Sequence, residues 1–129
     1  MMQRILLATV VVLASLPALA GDPKAGAQVF KKCQACHAVG EGAKNKVGPE
    51  LNGIFGRPAG SIPDYNYSDA MKNSGIVWTP EVFAEYIKNP RAMVPGTAMA
   101  FAGLKKDADI ANVSAYLAQF NADGTVKSE

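Results

Sequence analysis

Cys33-Gln34-Ala35-Cys36-His37 is the stretch on which the fold of this 129-residue chain depends. Its cysteines are the only two in the sequence, and its histidine is the only one. On a helical turn, positions i, i+3 and i+4 share one face, so Cys33, Cys36 and His37 are predicted to point the same way. That pattern is typical of c-type haem attachment, in which both thiols form thioethers and the imidazole reaches the iron.

Other uses of these three residues are weaker. A structural disulfide needs no following histidine and rarely bridges three residues within a helix. A thioredoxin-like dithiol belongs to a βαβ context, and no stretch here shows convincing strand alternation. A structural zinc site takes four ligands, whereas this chain offers at most three Cys and His side chains. The motif therefore predicts one haem c per chain, covalently attached through Cys33 and Cys36.

Length and composition set the class of protein. The chain is long enough for one domain, and 49% hydrophobic and 19% charged residues exclude intrinsic disorder. Beyond residue 20, Lys and Arg number 12 against 11 Asp and Glu. That balance does not indicate nucleic-acid binding, and the sequence has no Arg/Lys-rich run that would.

Residues 1–20 have the features of an export signal. Arg4 precedes an apolar run over 5–16, and Ala-Leu-Ala at 18–20 is typical of a cleavage site. We expect cleavage, which makes 21–129 a soluble domain in the periplasm. The alternative is a retained membrane anchor, although the run is shorter than the roughly 20 residues that span a bilayer.

The pattern of apolar residues predicts an all-α fold of three to five helices joined by long loops. The predicted helices run from Asp22-Pro23 into Cys36-His37, over Ser68 to Asn73, from Thr79-Pro80 to Asn89, and from Asp107, as a cap, to Phe120. Residues 38–63 and 90–103 are predicted to be loops. A small chain with loops of this length usually needs a large bound group at its centre.

The second axial ligand of the iron is left open by the residues alone. A second histidine is ruled out, which leaves methionine, lysine or an open position that binds gas or peroxide. Beyond the signal, the methionines are Met71, Met93 and Met99. The ordinary role of a methionine is to fill the core. Position favours Met99, which follows Pro95-Gly96-Thr97 in an extended loop, without excluding the other two.

An ordered series of segments covers nearly the whole chain after residue 20. It comprises Gly21-Asp22 with Gly26 and Phe30, Cys33 to His37, Val47 to Leu51, Gly53 to Arg57, Tyr65 to Gly75, Trp78, Tyr86, Asn89-Pro90, and Pro95 to Gly103. In this order and spacing the chain resembles the class I c-type cytochromes, such as mitochondrial cytochrome c and bacterial cytochrome c2. The resemblance implies the class I cytochrome c fold, with His37 and Met99 as the axial ligands of the iron.

The resemblance also assigns supporting roles. Pro49 is implied to accept a hydrogen bond from the His37 ring, which would fix its tautomer. Gly26 and Phe30 are implied to meet Tyr116 and Leu117 where the first and last helices cross. The residues implied to line the haem are Arg57, Tyr67 and Trp78 at its propionates, Tyr86 and Thr97 on the methionine side, and Phe101 at its edge. For Tyr67 and Trp78, ordinary core packing is the alternative.

Three features depart from the family pattern. Met71 stands where mitochondrial proteins usually carry asparagine near a buried water. Ala92 and Ala98 occupy places where many relatives have lysine. One residue fewer separates Phe30 from Cys33.

The function implied by the resemblance is single-electron transfer and not catalysis. An iron held by protein on both sides has no vacant position for a substrate; an enzyme or gas sensor would need one. A dedicated subunit of an oxidase or dehydrogenase would look similar. The implied donor is a cytochrome bc complex, and the implied acceptor is a terminal oxidase, reductase or photosynthetic reaction centre. A monomer is expected, docking on acidic partner surfaces through the positive side chains of Lys32, Lys46, Arg91, Lys105 and Lys106.

Overall fold

Five helices are present in the computed structural model, which describes residues 7–12 and 21–128. They are α1 (Pro23–Phe30), α2 (Asp69–Lys72), α3 (Pro80–Lys88), α4 (Pro90–Met93) and α5 (Asp107–Ala118). Within the described residues, β pairing is limited to two isolated bridges, Pro58 with Val77 and Phe120 with Val126. The predicted helical architecture with three to five helices is therefore confirmed.

Most of the predicted export signal, including its cleavage site at 18–20, lies outside the described residues. Its cleavage stays a prediction. Over 7–12 and 21–128, no helix is long and apolar enough to cross a membrane.

Helices α1 and α5 cross at close range because α1 carries a glycine at the contact. A Cβ on Gly26 would overlap the carbonyl oxygen of Asn112. One turn later, the ring of Phe30 packs on that of Tyr116 with centroids 5.4 Å apart. The Asp22 amide also donates to Asn112 Oδ1 at 2.9 Å. The predicted contact of Gly26 and Phe30 with the last helix is thus observed, with Phe30 and Leu117 both fully buried.

The helix starts follow local capping rules. The side chains of Asp22, Ser68, Thr79 and Asn89 each accept an amide hydrogen bond at the start of a helix. The prediction of Asp107 as a cap is wrong. Lys106 occupies the cap position of α5 without a side-chain hydrogen bond, and Asp107 lies in the first turn, where a negative charge interacts favourably with the helix dipole.

Two predicted boundaries also differ from the structure. Helix α1 ends at Phe30, before the cysteine motif, because the following amides of Lys31 and Cys33 bond three residues back. The predicted loop 90–103 contains α4, which begins at Pro90. Proline lacks only an amide that needs no partner in the first turn of a helix, so it starts this helix as readily as it stops the preceding one.

The core lies between α1, α3 and α5 and is completed by loop residues. Its buried apolar members are Phe30, Ile54, Trp78, Phe83, Tyr86, Ile87, Val94, Leu104, Ile110, Val113 and Leu117. A second layer of loop side chains, among them Val39, Leu51, Met99 and Phe101, is only partly buried against it. The long loops therefore turn their apolar residues toward one central region.

Candidate haem-binding site

The cysteine motif forms a tight turn directly after α1. The His37 amide donates to the Cys33 carbonyl at 2.9 Å, which keeps the two residues one helical turn apart as the sequence predicted. Cys33 and Cys36 are free, half-buried thiols. Burial raises the pKa of Cys33, as does the neighbouring Cys36 thiolate, while the positive charge of Lys32 opposes the shift. The turn thus presents two thiols and an imidazole from five consecutive residues.

His37 is held from the side by the segment that contains Pro49. Its Nδ1 lies 2.7 Å from the carbonyl oxygen of Pro49, and a carbonyl only accepts, so Nδ1 carries the proton. A Cβ on Gly48 would overlap the imidazole ring, which therefore packs directly on this backbone. The pKa of His37 is lowered by burial and by the positive charges of Arg57 and Lys46, against the opposing effect of the Pro49 hydrogen bond. The result is a neutral imidazole whose Nε2 lone pair is available.

A second cluster of the site joins the side chains of Met99, Thr97 and Tyr86 by hydrogen bonds. The Tyr86 hydroxyl lies 3.3 Å from the Met99 Sδ and 3.3 Å from the Thr97 Oγ1. The Thr97 Oγ1 also accepts from the Met99 amide at 3.3 Å. Burial raises the pKa of Tyr86, against the opposing effect of its hydrogen bond with Thr97, so the hydroxyl keeps its proton at neutral pH. This cluster fixes the thioether of one methionine.

The other two methionines lie elsewhere. Met93 is 37% exposed at the end of α4. Met71 lies in α2 and packs, partly buried, against the core.

The structure also brings the proposed propionate residues together. Trp78 donates its amide to the Arg57 carbonyl at 3.0 Å, and its carbonyl accepts from Gly56 at 2.6 Å. The Tyr67 hydroxyl accepts from the Ile62 amide at 3.3 Å, so its own proton remains to donate. Trp78 is buried and packs on Tyr86 with ring centroids 4.9 Å apart, which is also what core packing alone requires.

Arg57 is bound to Glu50 and Asn52, two residues that have no individual role in the site predicted from the sequence. Its guanidinium donates to the carbonyls of Asn52 and Glu50, both at 3.1 Å, and lies 3.6 Å from the Glu50 carboxylate. Burial lowers the pKa of Arg57, while Tyr67 and Glu50 act in the opposite direction. Asn52, 5% exposed, exchanges two hydrogen bonds with the backbone of Gly40. Glu50 lies within the matched segment Val47 to Leu51, which was the only signal that pointed to it.

A family model described as Cytochrome c matches residues 23–121. The chain belongs to the cytochrome c family. The match begins at α1 and includes the cysteine motif with His37, the loop that carries Met99, and all of α5.

Relatives and a solved structure agree with that membership. This cytochrome is 59% identical over 111 residues to "Cytochrome c2" of Blastochloris viridis, covering 86% of this chain and 87% of that protein. It is 60% identical over 103 residues to "Cytochrome c-550" of Bradyrhizobium diazoefficiens, covering 80% and 76%. The structure of cytochrome c2 from Rhodospirillum centenum matches with a TM-score of 0.75 at 40% identity, over 78% of this chain and 99% of that one. The predicted class I fold is confirmed.

The residues present fit the family's cofactor. This cytochrome binds haem c covalently through Cys33 and Cys36, and it is an electron-carrying protein and not an enzyme. The donor set agrees, because it combines two free thiols, a neutral imidazole with a fixed tautomer and a hydrogen-bonded thioether. In the part of the chain that is described, no group of three or more His, Cys, Asp and Glu side chains is arranged to hold a metal ion.

The positive side chains predicted to contact a partner are all exposed in this cytochrome: Lys32, Lys46, Arg91, Lys105 and Lys106. Two of them are held by backbone carbonyls. The Lys46 Nζ donates to the Gln34 carbonyl at 2.6 Å, and the Lys105 Nζ donates to the carbonyls of Lys88 and Ala102. Their ammonium groups are thus fixed in place and reachable from solvent.

Proposed function

We propose that this cytochrome is a soluble periplasmic carrier of single electrons whose haem iron is ligated by His37 and Met99. The haem supplies a reversible one-electron couple when bound. Ligation by histidine and methionine would raise the reduction potential and would leave no open position on the iron. Filled positions leave no room for a substrate, which favours electron exchange over catalysis.

The observation that carries this proposal is the hydrogen bond from the buried Tyr86 hydroxyl to the Met99 Sδ. A thioether is a weak acceptor, so a buried phenol aimed at one marks a sulfur with a defined position. Sulfur has a second lone pair that remains to bind a metal. The exposed Met93 and the helical Met71 have no comparable fixation of their sulfur among the described contacts.

The role of His37 is supported by its bond to Pro49. A proton held on Nδ1 by a carbonyl leaves Nε2 as the metal-binding nitrogen, and such a partner fixes ring orientation. The packing of the ring on Gly48 restricts its rotation further. Little reorganisation is then needed when the protein gains or loses an electron.

Arg57, Tyr67 and Trp78 are proposed to hold the haem carboxylates. Arg57 is a partly buried cation, and the Tyr67 hydroxyl retains a proton to donate. Donors of this kind neutralise acidic groups that would otherwise carry charge in a region of low polarity.

Export supports the assignment to the periplasm, since residues 1–20 have the pattern of a cleaved signal. For partners, we propose a cytochrome bc complex as donor and a terminal oxidase, reductase or photosynthetic reaction centre as acceptor. Five exposed cations would steer the protein toward acidic docking surfaces even though its net charge is small.

The ligand assignment is tested by absorption spectroscopy. The oxidised protein is expected to show the weak near-infrared methionine-to-iron band, and the reduced protein is expected not to bind carbon monoxide. Met99→Ala should abolish the band and allow carbon monoxide to bind, whereas the matched variant Met93→Ala should retain the wild-type spectrum. A missing band in the wild type would contradict ligation by Met99 and favour an open position on the iron, whereas loss of the band in Met93→Ala would assign the ligand to Met93 instead.

The partner assignment is tested by stopped-flow mixing of the reduced protein with membranes that contain the candidate acceptors. Rates should fall as ionic strength rises, and they should fall again in Lys106→Gln. Lys127→Gln, which removes the same charge far along the chain, serves as the control. Rates independent of salt would rule out electrostatic docking.

A further inference from the structure

We infer that Glu50 is the internal counter-ion of Arg57 and that it lowers the reduction potential of the protein. This inference rests on the proposed function, because it concerns the redox couple of the same site. Glu50 had no role in the site as predicted from the sequence. It would be a positioning residue that acts through charge and not through contact with the iron.

The first argument is the ion pair itself. The Glu50 Oε1 lies 3.6 Å from the Arg57 Nη1, and the two side chains are only 21% and 16% exposed. At this burial the pair is shielded from solvent more than a surface pair is, so its charges are less screened by salt. Glu50 and Arg57 together present little net charge.

The second argument is that the carboxylate is built into the fold. The Glu50 Oε2 accepts the Asn52 amide at 2.7 Å, and the Glu50 amide donates to the Asn45 Oδ1 at 2.9 Å. The Glu50 carbonyl accepts from the Arg57 Nη2 at 3.1 Å. Backbone and side chain are both fixed, so the carboxylate stays beside the guanidinium.

The third argument is location. Glu50 follows Pro49, whose carbonyl oxygen is 2.7 Å from the His37 Nδ1. Glu50 is therefore adjacent in the sequence to the residue whose carbonyl holds His37.

The consequence follows from charge alone. The oxidised protein carries one positive charge more than the reduced protein, and the electron that distinguishes them comes from the donor. A nearby carboxylate stabilises the oxidised form, and a nearby guanidinium destabilises it. Without Glu50, the half-buried charge of Arg57 would be balanced less completely, which favours the reduced form.

The test is a potentiometric titration of the haem-loaded protein against a mediator couple. Glu50→Gln keeps an oxygen for the Asn52 amide and removes only the charge. We expect it to shift the equilibrium several-fold toward the reduced form. Glu85→Gln is the matched control, because Glu85 forms an exposed ion pair with Lys88 at 3.8 Å, and its shift should stay below about twofold.

A double-mutant cycle separates charge from structure. Arg57→Gln should shift the equilibrium toward the oxidised form, and Glu50→Gln/Arg57→Gln should lie close to the wild type. Glu50→Asp, which restores the charge, should return the potential most of the way. If Arg57→Gln does not fold, the comparison of the Gln and Asp variants at position 50 remains decisive.

The outcomes distinguish this inference from the proposed function. A shift in Glu50→Gln no larger than that in Glu85→Gln, with the methionine-to-iron band intact, would overturn the role of Glu50 alone. A wild-type protein that shows no reversible one-electron titration would instead overturn the proposed function.

Discussion

The hydroxyl of Tyr86 and the sulfur of Met99 lie 3.3 Å apart, and the same hydroxyl lies 3.3 Å from the Thr97 Oγ1. The buried Tyr86 hydroxyl thus links the Met99 sulfur to the Thr97 hydroxyl, which in turn accepts from the Met99 amide. A hydrogen bond to the sulfur withdraws electron density from it and makes it a poorer donor to an oxidised metal.

Tyr86→Phe removes that hydrogen bond and leaves the ring packing on Trp78 in place. We expect a lower reduction potential, because the sulfur then donates more strongly and favours the oxidised form. Potentiometric titration measures the change. Thr97→Val, which removes the other partner of the hydroxyl, should not lower the potential as far; an equal or larger drop in Thr97→Val would contradict this account.

Gly26 lies where α1 packs directly on the backbone of α5, since a Cβ there would overlap Asn112. Gly26→Val should lower the free energy of unfolding by about 1–3 kcal/mol or more, because the helices must move apart. Gln28→Val, on the exposed side of the same helix, tests the effect of a β-branched residue alone. It should lower the free energy of unfolding by only about a few tenths of a kcal/mol. Denaturant unfolding followed by circular dichroism measures both. Equal costs would show that the crossing tolerates a side chain.

Asn52 satisfies both backbone groups of Gly40 with its buried amide. Asn52→Ala leaves that amide and carbonyl without their partner, so the free energy of unfolding should fall by about 1–3 kcal/mol. Asn73→Ala, at an exposed asparagine, is the control and should change it by less than about 0.5 kcal/mol. Faster amide hydrogen exchange at Gly40, specific to Asn52→Ala, is the local sign of the loss. Unchanged exchange would mean that solvent replaces the side chain at no cost.

Asp123 is predicted to titrate below its usual range. The Thr125 hydroxyl and amide both donate to its carboxylate, which lowers the pKa of Asp123. The folded state therefore favours the charged form, so this contribution to stability is present at neutral pH and is lost as pH falls through the lowered pKa. Thr125→Ala should raise the pKa of Asp123 toward its usual value, and Thr125→Ser should not. Carboxyl chemical shifts followed by NMR decide between them, and a pKa equal in all three proteins would contradict the prediction.

Local signals predicted the starts of α1, α2 and α3, because caps such as Asp22 and Thr79 act within four residues of sequence. Helix α4 was missed because Asn89-Pro90 was interpreted only as the end of α3. The same two residues also begin α4, and the dipeptide alone does not show whether another helix follows. The end of α1 was placed too late because the apolar pattern continues through Val29 and Cys33 after the hydrogen bonding has changed.

The site was predicted in the same uneven way. The motif fixed the cysteines and His37, and the resemblance placed Pro49, Tyr86 and Thr97 where the structure has them in contact with His37 or Met99. The ties of Arg57 to Glu50 and of Asn52 to Gly40 were not predicted. Each joins two points of the same irregular segment, 38–63, and such contacts leave no periodic trace in a sequence.

The crossing of α1 and α5 also joins two segments that are far apart in the sequence. Asp22 and Asn112 are joined across 90 residues, so the amino-terminal helix lacks its packing partner until nearly the whole chain has emerged. Contacts this distant in sequence form slowly, because a long loop must close first. The packing of the first helix therefore depends on residues close to the other end of the domain, as the Phe30–Tyr116 contact also shows. Loss of α5 would remove the packing partner of the segment that leads into Cys33, although the two are distant in the sequence.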